Sequence, residues 1–275
     1  MILLTGASGN VGTALLAELR AEGVPVRAAY RDPRKVTEDA VLLDFAVPDT
    51  LGPALDGVDT VFLLAATGPD QPVHELNLLE AARKAGARVV KLSVWRADEE
   101  LSPIARLHRP AERALTSSGL RWTILRPNFY LQNFLRQTSI REAGVFSQPL
   151  INAPISFIDT GDVARAAARV LTSDGHDGRI YDLTGPRALT YVEAAEVFSD
   201  VLGKPVRYVH FPDDEARAAM IGRGLPEFQA DALIEVARAY RDGGAETVTS
   251  AVQDLTGEPA VEFADFVRRH RDFFG

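Results

Sequence analysis

The 275-residue sequence contains no cysteine. Disulfide bonds, thiolate nucleophiles and cysteine-ligated zinc sites are therefore excluded. The five histidines show no paired metal-ligand spacing. No apolar run reaches the roughly 20 residues that span a bilayer, and the chain begins with a strand-like run rather than a signal peptide. These absences favour a cytoplasmic protein with no metal ion and no membrane contact.

Positively charged residues are fewer than negatively charged ones, with 30 lysines and arginines against 38 aspartates and glutamates and a net charge of −8. This balance argues against nucleic acid as a main partner. A hydrophobic content of 46% and a charged content of 25% are typical of a globular enzyme. At this length the chain can form one large α/β domain, or one domain with a smaller lobe.

The most informative pattern lies in the first residues of the chain. The apolar run Met1–Leu4 leads through Thr5 into a turn with three spaced glycines, and leucines follow at helical spacing. A strand, a glycine-rich turn and a helix form the unit that places a dinucleotide pyrophosphate at a helix N-terminus. The alternative is a glycine-rich turn with no ligand. The pattern predicts a pyrophosphate site made by Gly6, Ala7, Ser8, Gly9, Asn10, Val11 and Gly12.

Short β-rich runs alternate with helical patterns in the first half of the chain, which predicts a parallel sheet covered on both faces. We expect an α/β fold, a Rossmann-like doubly wound parallel sheet with a smaller C-terminal α/β substrate lobe. The NAD(P)-binding domain should cover residues 1–150, with returning segments near 155–185, and a mainly helical lobe should cover 186–275. The predicted strands are Ile2–Thr5, Val24–Tyr30, Ala40–Asp44, Thr60–Ala65, Val89–Ser93, Trp122–Arg126 and Arg179–Leu183. The predicted helices are Val11–Ala21, Gln71–Ala85, Pro103–Ser118, Asp159–Leu171, one opened by a Thr190–Glu193 capping box, Asp213–Ala239 with a break at Gly222–Pro226, and Glu262–Phe274.

The segment after the second predicted strand bears on the choice between NADP(H) and NAD(H). Arg31 stands at the strand tip, and Arg34 and Lys35 follow within a turn. A guanidinium can meet a ribose 2′-phosphate with two parallel hydrogen bonds. Asp32 is the competing candidate, because NAD sites place a carboxylate about 20 positions beyond the glycines to hold the 2′-hydroxyl. The arginine favours NADP(H), with NAD(H) as the less favoured cofactor.

Residues after the next strands are further candidates for contact with the cofactor. Asp44 could accept a hydrogen bond from the adenine amino group, or it could cap a helix that begins near Thr50. Small residues after the fourth strand would let the backbone pass close to the cofactor. Ser93 could contact cofactor or substrate, or simply end its strand. These candidates are Asp44, Phe45, Ala65, Ala66, Thr67 and Ser93.

A catalytic tyrosine with a lysine four residues later is absent, since none of the six tyrosines has a lysine at that spacing. The helix expected to carry such a pair has His108 and Glu112 one turn apart instead. His108 is therefore the candidate catalytic residue, able to donate a proton or to contact the nicotinamide ribose, with Glu112 placed to orient it. The alternative is that both are ordinary polar residues on a helix surface.

Several motifs together resemble the NmrA-like atypical short-chain dehydrogenase/reductase family. They are TGASGNVG at Thr5–Gly12, YRDP at Tyr30–Pro33, SGLRWTILRPN at Ser118–Asn128, Phe157–Asp159 with Asp162–Ala164, YDLTGP at Tyr181–Pro186 and EFADF at Glu262–Phe266. The likeness covers essentially the whole chain. It implies a Rossmann-like domain with a small substrate lobe, in a family that includes triphenylmethane, quinone and ergot-alkaloid-type reductases and NADP(H)-sensing regulators.

The resemblance also implies roles for individual residues. Some relatives carry a cofactor-contacting lysine where this chain has His108, so lysine chemistry does not carry over. Gly6 to Gly12 are implied to hold the pyrophosphate, Arg31 the 2′-phosphate, Ala65 to Thr67 the ribose and nicotinamide path, and Asn128, Tyr130 and Asn133 the cofactor, with Tyr130 to Asn133 beside the nicotinamide.

These observations predict an NADP(H)-dependent oxidoreductase that transfers hydride to an activated conjugated acceptor such as a quinone, enone or iminium. Such acceptors take hydride without strong acid assistance, which agrees with the missing tyrosine–lysine pair. The alternative is a non-catalytic NADP(H)-sensing regulator. A small-molecule substrate and a monomer or homodimer are expected.

Overall fold

The computed structural model describes all residues, 1–275, and contains a seven-stranded sheet and a separate two-stranded sheet. In chain order the strands are β1 (Ile2–Leu4), β2 (Val26–Tyr30), β3 (Ala40–Leu42), β4 (Thr60–Leu63), β5 (Arg88–Leu92), β6 (Trp122–Pro127), β7 (Val145–Pro149), β8 (Arg179–Leu183) and β9 (Arg207–Phe211). The large sheet has the order β3-β2-β1-β4-β5-β6-β8, and all its strands are parallel. This order reverses between β1 and β4, as in the Rossmann fold, and the predicted fold class is confirmed.

Helices cover both faces of the large sheet. In chain order they are α1 (Asn10–Ala21), α2 (Leu51–Ala54), α3 (Gln71–Ala85), α4 (Pro103–Thr116), α5 (Ser139–Ala143), α6 (Thr160–Thr172), α7 (Tyr191–Leu202), α8 (Asp213–Gly222), α9 (Glu227–Ala239), α10 (Ala251–Thr256), α11 (Phe263–Arg269) and α12 (Arg271–Phe274). Helices α1, α6 and α10 pack on one face, and α2, α3 and α4 pack on the other. Side chains alternate along each strand, so Leu4 joins the first core and Leu3 the second.

Polar side chains define where several of these helices begin. The Ser102 hydroxyl accepts a hydrogen bond from the Ala105 amide at 3.1 Å at the start of α4. The predicted capping box is confirmed, because Thr190 and Glu193 each accept a hydrogen bond from the other's backbone amide. These bonds satisfy amides that have no partner within the helix.

The small sheet, made of β7 and β9, belongs to a second, smaller lobe. Aromatic rings fill the core of this lobe, and the Phe134 ring lies 5.2 to 5.5 Å from those of Phe263, Phe146 and Phe198. Because β7 precedes residue 150 and β9 follows it, the small sheet draws on both sides of the predicted boundary. The division into two domains stays a prediction.

Hydrogen bonds connect the residues after β5 and β6 to Ser156 and to the segment after α9. The Asn128 side chain donates to the Ser156 hydroxyl at 2.8 Å and to the Ala245 carbonyl at 2.9 Å. The Trp95 indole donates to the Gly244 carbonyl at 2.7 Å. These contacts hold the smaller lobe against the carboxyl edge of the large sheet.

Two features of the smaller lobe differ from the sequence-based expectation. Strands β7 and β9 were not predicted, because their exposed and buried positions do not alternate clearly. The predicted helix Glu262–Phe274 divides at His270, which turns the Phe274 ring into the core, 4.9 Å from that of Phe198. No helix of the structure combines the length and the apolar character needed to cross a membrane.

Candidate active site and cofactor cleft

The glycine turn between β1 and α1 leaves the N-terminus of α1 open. Gly6 adopts a positive φ of 67°, and a Cβ on Gly12 would lie only 2.1 Å from the Gly6 carbonyl oxygen. Helix α1 begins after Gly9 without a side-chain cap, and a Cβ on Gly9 would meet nothing closer than 3.4 Å. Helix α1 is therefore in close contact with the turn at Gly12, whereas the space next to Gly9, at the N-terminus of the helix, is open. This backbone cradle fits a pyrophosphate, which the amides of the first helical turn would bind.

The end of β2 presents one arginine that is not engaged with a carboxylate. The Arg34 guanidinium donates two hydrogen bonds to the Asp32 carboxylate, at 3.0 and 2.8 Å, and lowers the pKa of that carboxyl. Asp32 also accepts a hydrogen bond from the Arg34 amide. Arg31 is exposed and belongs to no ion pair. Arg34 therefore neutralises Asp32, and Arg31 remains available to bind an anion.

Asp44 and Phe45 lie directly beyond β3. The Asp44 carboxylate accepts a hydrogen bond from the Ala46 amide at 3.0 Å, so it closes a local turn. The Thr50 hydroxyl accepts a hydrogen bond from the Asp44 amide, and the Asp44 carboxylate makes no cap at Thr50. Phe45 is half-buried beside α3, where its carbonyl accepts a hydrogen bond from Asn77. Adenine contact by Asp44 and Phe45 stays a prediction.

The end of β4 is next to the end of β1, and the order of strands in the large sheet reverses between these two strands. The Thr5 hydroxyl donates to the Phe62 carbonyl and accepts from the Leu64 amide at 2.8 Å, which joins the ends of β1 and β4. Ala65 is buried, whereas Ala66 and Thr67 are exposed along the crevice. In parallel sheets of this order, ligands bind in the crevice outside these strand ends.

Residues beyond β6 lead from the crevice into the smaller lobe. Asn128 is buried, and its side-chain oxygen accepts a hydrogen bond from the Phe129 amide while its nitrogen holds the lobe junction. Tyr130 and Asn133 lie on a short 3-10 segment, Leu131–Arg136 with Tyr130 at its start, and both line a cavity in the smaller lobe. Burial raises the pKa of Tyr130, which keeps its phenol protonated.

The cavity has a volume of about 460 Å³, within the range of small-molecule sites, and 14 of its 22 lining residues are hydrophobic. Helices α8 and α9 line one side of it, and the predicted break at Gly222–Pro226 joins them. Its lining residues include Phe129, Phe134, Phe157, Tyr191, Phe211, Met220, Leu225 and Leu233. Flat apolar molecules suit such a surface, because aromatic rings stack on one another.

His108 is enclosed rather than exposed at the crevice. Its ring contacts Gln71 at 3.1 Å and Lys91 at 3.2 Å, and its side chain is 8% exposed. Lys91 and Glu75 are fully buried and form an ion pair at 2.7 Å beside it. Burial and the charge of Lys91 lower the pKa of His108 well below its usual value. The imidazole is therefore neutral near pH 7.

Glu112 does not orient His108, as the sequence had suggested. It accepts two hydrogen bonds from the Arg126 guanidinium, at 2.9 and 2.7 Å, and one from the Ser93 hydroxyl at 2.6 Å. The carboxylate nearest the His108 ring is that of Glu75, at 3.7 Å. Glu112 therefore connects α4 to the ends of β5 and β6. The Ser93 hydroxyl group donates its hydrogen bond to this buried carboxylate.

Sequence reasoning missed the buried lysine beside His108. Lys91 lies within Arg88–Leu92, a central strand that is buried at every position. A charged residue in such a run is the signal that could have found it, since a buried lysine requires a partner.

The structure brings most of the predicted site residues to one edge of the large sheet. The turn Gly6–Gly12, Arg31, Asp44, Phe45, Ala65 to Thr67, Ser93, Asn128, Tyr130 and Asn133 all follow the carboxyl ends of its strands. His108 is on α4, and its ring faces Gln71 of α3 and Lys91 of β5. The individual roles of all these residues stay predictions.

Comparison with known proteins gives close relatives over the full chain. The NAD(P)H azoreductase of Xenophilus azovorans is 35% identical, covering 100% of this chain and 99% of its own. The (4-alkanoyl-5-oxo-2,5-dihydrofuran-3-yl)methyl phosphate reductase of Streptomyces griseus is 37% identical, with 100% and 99% covered. The NADPH-dependent quinone oxidoreductase of Escherichia coli, solved with NADPH, matches with a TM-score of 0.89 at 29% identity, over 98% and 99% of the two chains.

A family model described as NAD(P)H-binding matches residues 6–174, which is more than half of the chain. The matched segment contains the glycine turn and the strand ends described above. The full-length likeness to reductases extends beyond it into the smaller lobe. The chain therefore belongs to this NAD(P)H-binding family and is an NAD(P)H-dependent oxidoreductase.

Proposed function

We propose that the chain transfers hydride from NADPH to an activated conjugated acceptor, such as a quinone, an enone or an iminium. The observation that carries the proposal is the apolar cavity of about 460 Å³ that shares Tyr130 and Asn133 with the carboxyl edge of the sheet. An acceptor in the cavity would lie beside a nicotinamide in the crevice. The named substrates of the relatives, an azo compound, a quinone and an oxo-dihydrofuran phosphate, support this class of acceptor.

Arg31 supports NADPH over NADH as the hydride donor. Its guanidinium is exposed at the end of β2 and has no carboxylate partner. Asp32, the residue that would hold a 2′-hydroxyl, is already bound by Arg34. A 2′-phosphate would therefore meet one available guanidinium and a neutralised carboxylate.

The residues of this chain bind and orient the reactants more than they supply acid. When bound, the reduced nicotinamide supplies the hydride. The raised pKa of Tyr130 keeps its phenol protonated, so it can donate a hydrogen bond to an acceptor oxygen. His108 is neutral and enclosed, and a reduced acceptor can take its proton from water instead. Proximity and orientation would provide most of the rate enhancement.

The test is NADPH oxidation, followed by the absorbance of the reduced nicotinamide, with a panel of quinones and enones. Sustained turnover that saturates with acceptor is expected. The control is the same assay without acceptor, which measures oxidation by oxygen alone. Tight NADPH binding with no turnover for any acceptor would overturn the proposal and favour an NADP(H)-sensing regulator.

A further inference from the structure

The charges that line the cavity are all positive. Among its 22 lining residues are two arginines, Arg136 and Arg223, and no aspartate or glutamate. In the whole chain, acidic residues outnumber basic ones by 38 to 30. The lining of the cavity therefore carries positive charge, whereas the protein as a whole carries a net negative charge.

Two acidic residues of the neighbouring helices are bound by arginines that lie outside the cavity. On α8, Asp213 pairs with Arg238 and Arg241. On α9, Asp231 pairs with Arg217. None of these arginines lines the cavity. The ion pairs neutralise carboxylates around the cavity and leave the two lining arginines without a protein partner.

Arg136 shares a face of the 3-10 segment Leu131–Arg136 with Asn133. Side chains three residues apart eclipse one another in a 3-10 helix, and both residues line the cavity. At a rise of about 2 Å per residue, Arg136 lies roughly 6 Å beyond Asn133 along the segment. Tyr130, whose backbone is extended, precedes the segment. Arg136 is therefore at the end of the segment furthest along the chain from Tyr130.

Arg223 is in the break between α8 and α9, on the other side of the cavity. Arg223 directly follows the last residue of α8. Gly224, the next residue, has a positive φ of 87° that turns the chain towards α9. The unpaired acidic residues Asp214 and Glu215 are in the first turn of α8, at the opposite end of that ten-residue helix. Two segments distant in sequence thus each contribute one guanidinium to one apolar space.

We infer that the physiological acceptor is an anionic conjugated molecule, whose sulfonate, carboxylate or phosphate group is bound by Arg136 and Arg223 while its reducible part lies at Tyr130 and Asn133. This inference rests on the hydride transfer proposed above. An anion satisfies both guanidiniums, and a cationic dye would bring its charge to two like charges. Arg136 and Arg223 are specificity residues, remote from the transferred hydride.

The experiment compares 1,4-naphthoquinone with its 6-sulfonate, whose charge is on the ring that is not reduced, in the wild type, Arg136→Gln, Arg223→Gln and the double variant. The ratio of kcat/KM for the sulfonate to kcat/KM for the neutral quinone should fall about threefold to tenfold in each single variant, and further in the double variant. Comparing this ratio between variants cancels the different intrinsic reactivities of the quinones. The loss should appear mainly in KM, and Arg136→Lys should restore part of it.

Arg121→Gln is the matched control, because Arg121 is an exposed arginine that pairs with no carboxylate and does not line the cavity. It should leave the ratio unchanged. A ratio that is unchanged in the double variant, or that falls equally in Arg121→Gln, would overturn the inference.

Calorimetric binding of 2-naphthalenesulfonate, which cannot be reduced, gives a readout independent of turnover. Its affinity for the NADP⁺-loaded protein should fall in the double variant, whereas that of neutral 2-methylnaphthalene should change far less. Arginine-dependent sulfonate binding without turnover of either quinone would keep the anion site and reject the proposed reaction. Turnover of both quinones with a kcat/KM ratio that does not depend on the two arginines would support the proposed reaction and reject the anion site.

Discussion

The pyrophosphate end and the acceptor end of the cleft are built in different ways. At the pyrophosphate end, one continuous segment forms the proposed site, and Gly6, Gly9 and Gly12 act through the absence of a side chain. At the acceptor end, side chains from β7, β9, α7, α8, α9 and the segment after β6 line the cavity. The pyrophosphate site depends on the backbone, and the acceptor cavity depends on side chains.

This difference determines how each end responds to substitution. A backbone site has no alternative residue that preserves it, because any Cβ occupies the space of the ligand or of the turn. A cavity lined by many side chains can exchange one apolar residue for another at a modest cost. One way of holding the cofactor can therefore serve many acceptors.

Gly9→Val should abolish binding of NADPH and NADH while the protein remains folded. The new Cβ would meet only the Gly6 carbonyl, at 3.4 Å, so the fold tolerates it, but the branched side chain would fill the space before α1. Fluorescence titration with each cofactor and thermal unfolding of the apoprotein measure the two effects. Gly52→Val is the control, since a Cβ on Gly52 meets nothing within 4 Å and lies far from the turn in sequence. Normal NADPH binding by folded Gly9→Val would show that the glycine turn is only structural.

Glu112→Ala should lower the free energy of unfolding by up to about 3–5 kcal/mol, the cost of removing one partner of a buried ion pair, because Arg126 would then pair only with the half-exposed carboxylate of Asp98. Glu112 is fully buried, and it accepts two hydrogen bonds from Arg126 next to the end of β6. Urea unfolding monitored by circular dichroism measures the change. Glu80→Ala removes an exposed carboxylate that also pairs with an arginine, Arg83, and should change stability far less. Similar losses in the two variants would contradict the assigned anchoring role of Glu112.

Arg31→Ala should weaken NADPH binding by about 1.5–3 kcal/mol and scarcely affect NADH, because only NADPH carries the 2′-phosphate. Arg34→Ala is the informative companion. It frees the Asp32 carboxylate, so it should shift the preference towards NADH without removing the phosphate ligand. Parallel titrations of both cofactors on the three proteins give the preference directly. Equal losses for NADPH and NADH in Arg31→Ala would remove Arg31 from the 2′-phosphate site.

His108→Ala should lower kcat by less than about tenfold, whereas loss of a general acid costs about 10²–10⁴-fold. The wild-type rate with a quinone should also be flat from about pH 6 to 8, since the pKa of His108 lies well below the usual value of about 6.5. The control is His210→Ala, which removes an exposed histidine that does not line the cavity and should leave kcat unchanged. A large, pH-dependent loss in His108→Ala would make His108 catalytic.

Sequence patterns predicted the parts of this molecule that depend on local chemistry. The glycine turn follows from three residues whose spacing has one structural use, and the Thr190–Glu193 capping box from a contact within one helical turn. The break at Gly222–Pro226 was also predictable, because two glycines and a proline fall within five residues there.

Contacts between distant segments could not be predicted in this way. His108 faces Lys91 and Gln71 rather than Glu112, although Glu112 is its neighbour on the helix. The pairing of β7 with β9 joins residues about 60 positions apart, in strands whose buried and exposed positions do not alternate. Arg136 and Arg223 line the same cavity only because the segment after β6 and the connection between α8 and α9 fold against each other. The acceptor end therefore required the structure.

The central claim is direct hydride transfer from the nicotinamide to a bound acceptor. NADPH carrying deuterium at both C4 positions, with 2-cyclohexenone as the acceptor, tests it most directly by mass spectrometry and NMR of the product. One deuteride should form a C–D bond at the β-carbon of the ketone, one solvent proton should add to the α-carbon, and the oxidised cofactor should keep the second deuterium. Consumption of NADPH with no deuterium in the ketone would contradict the account.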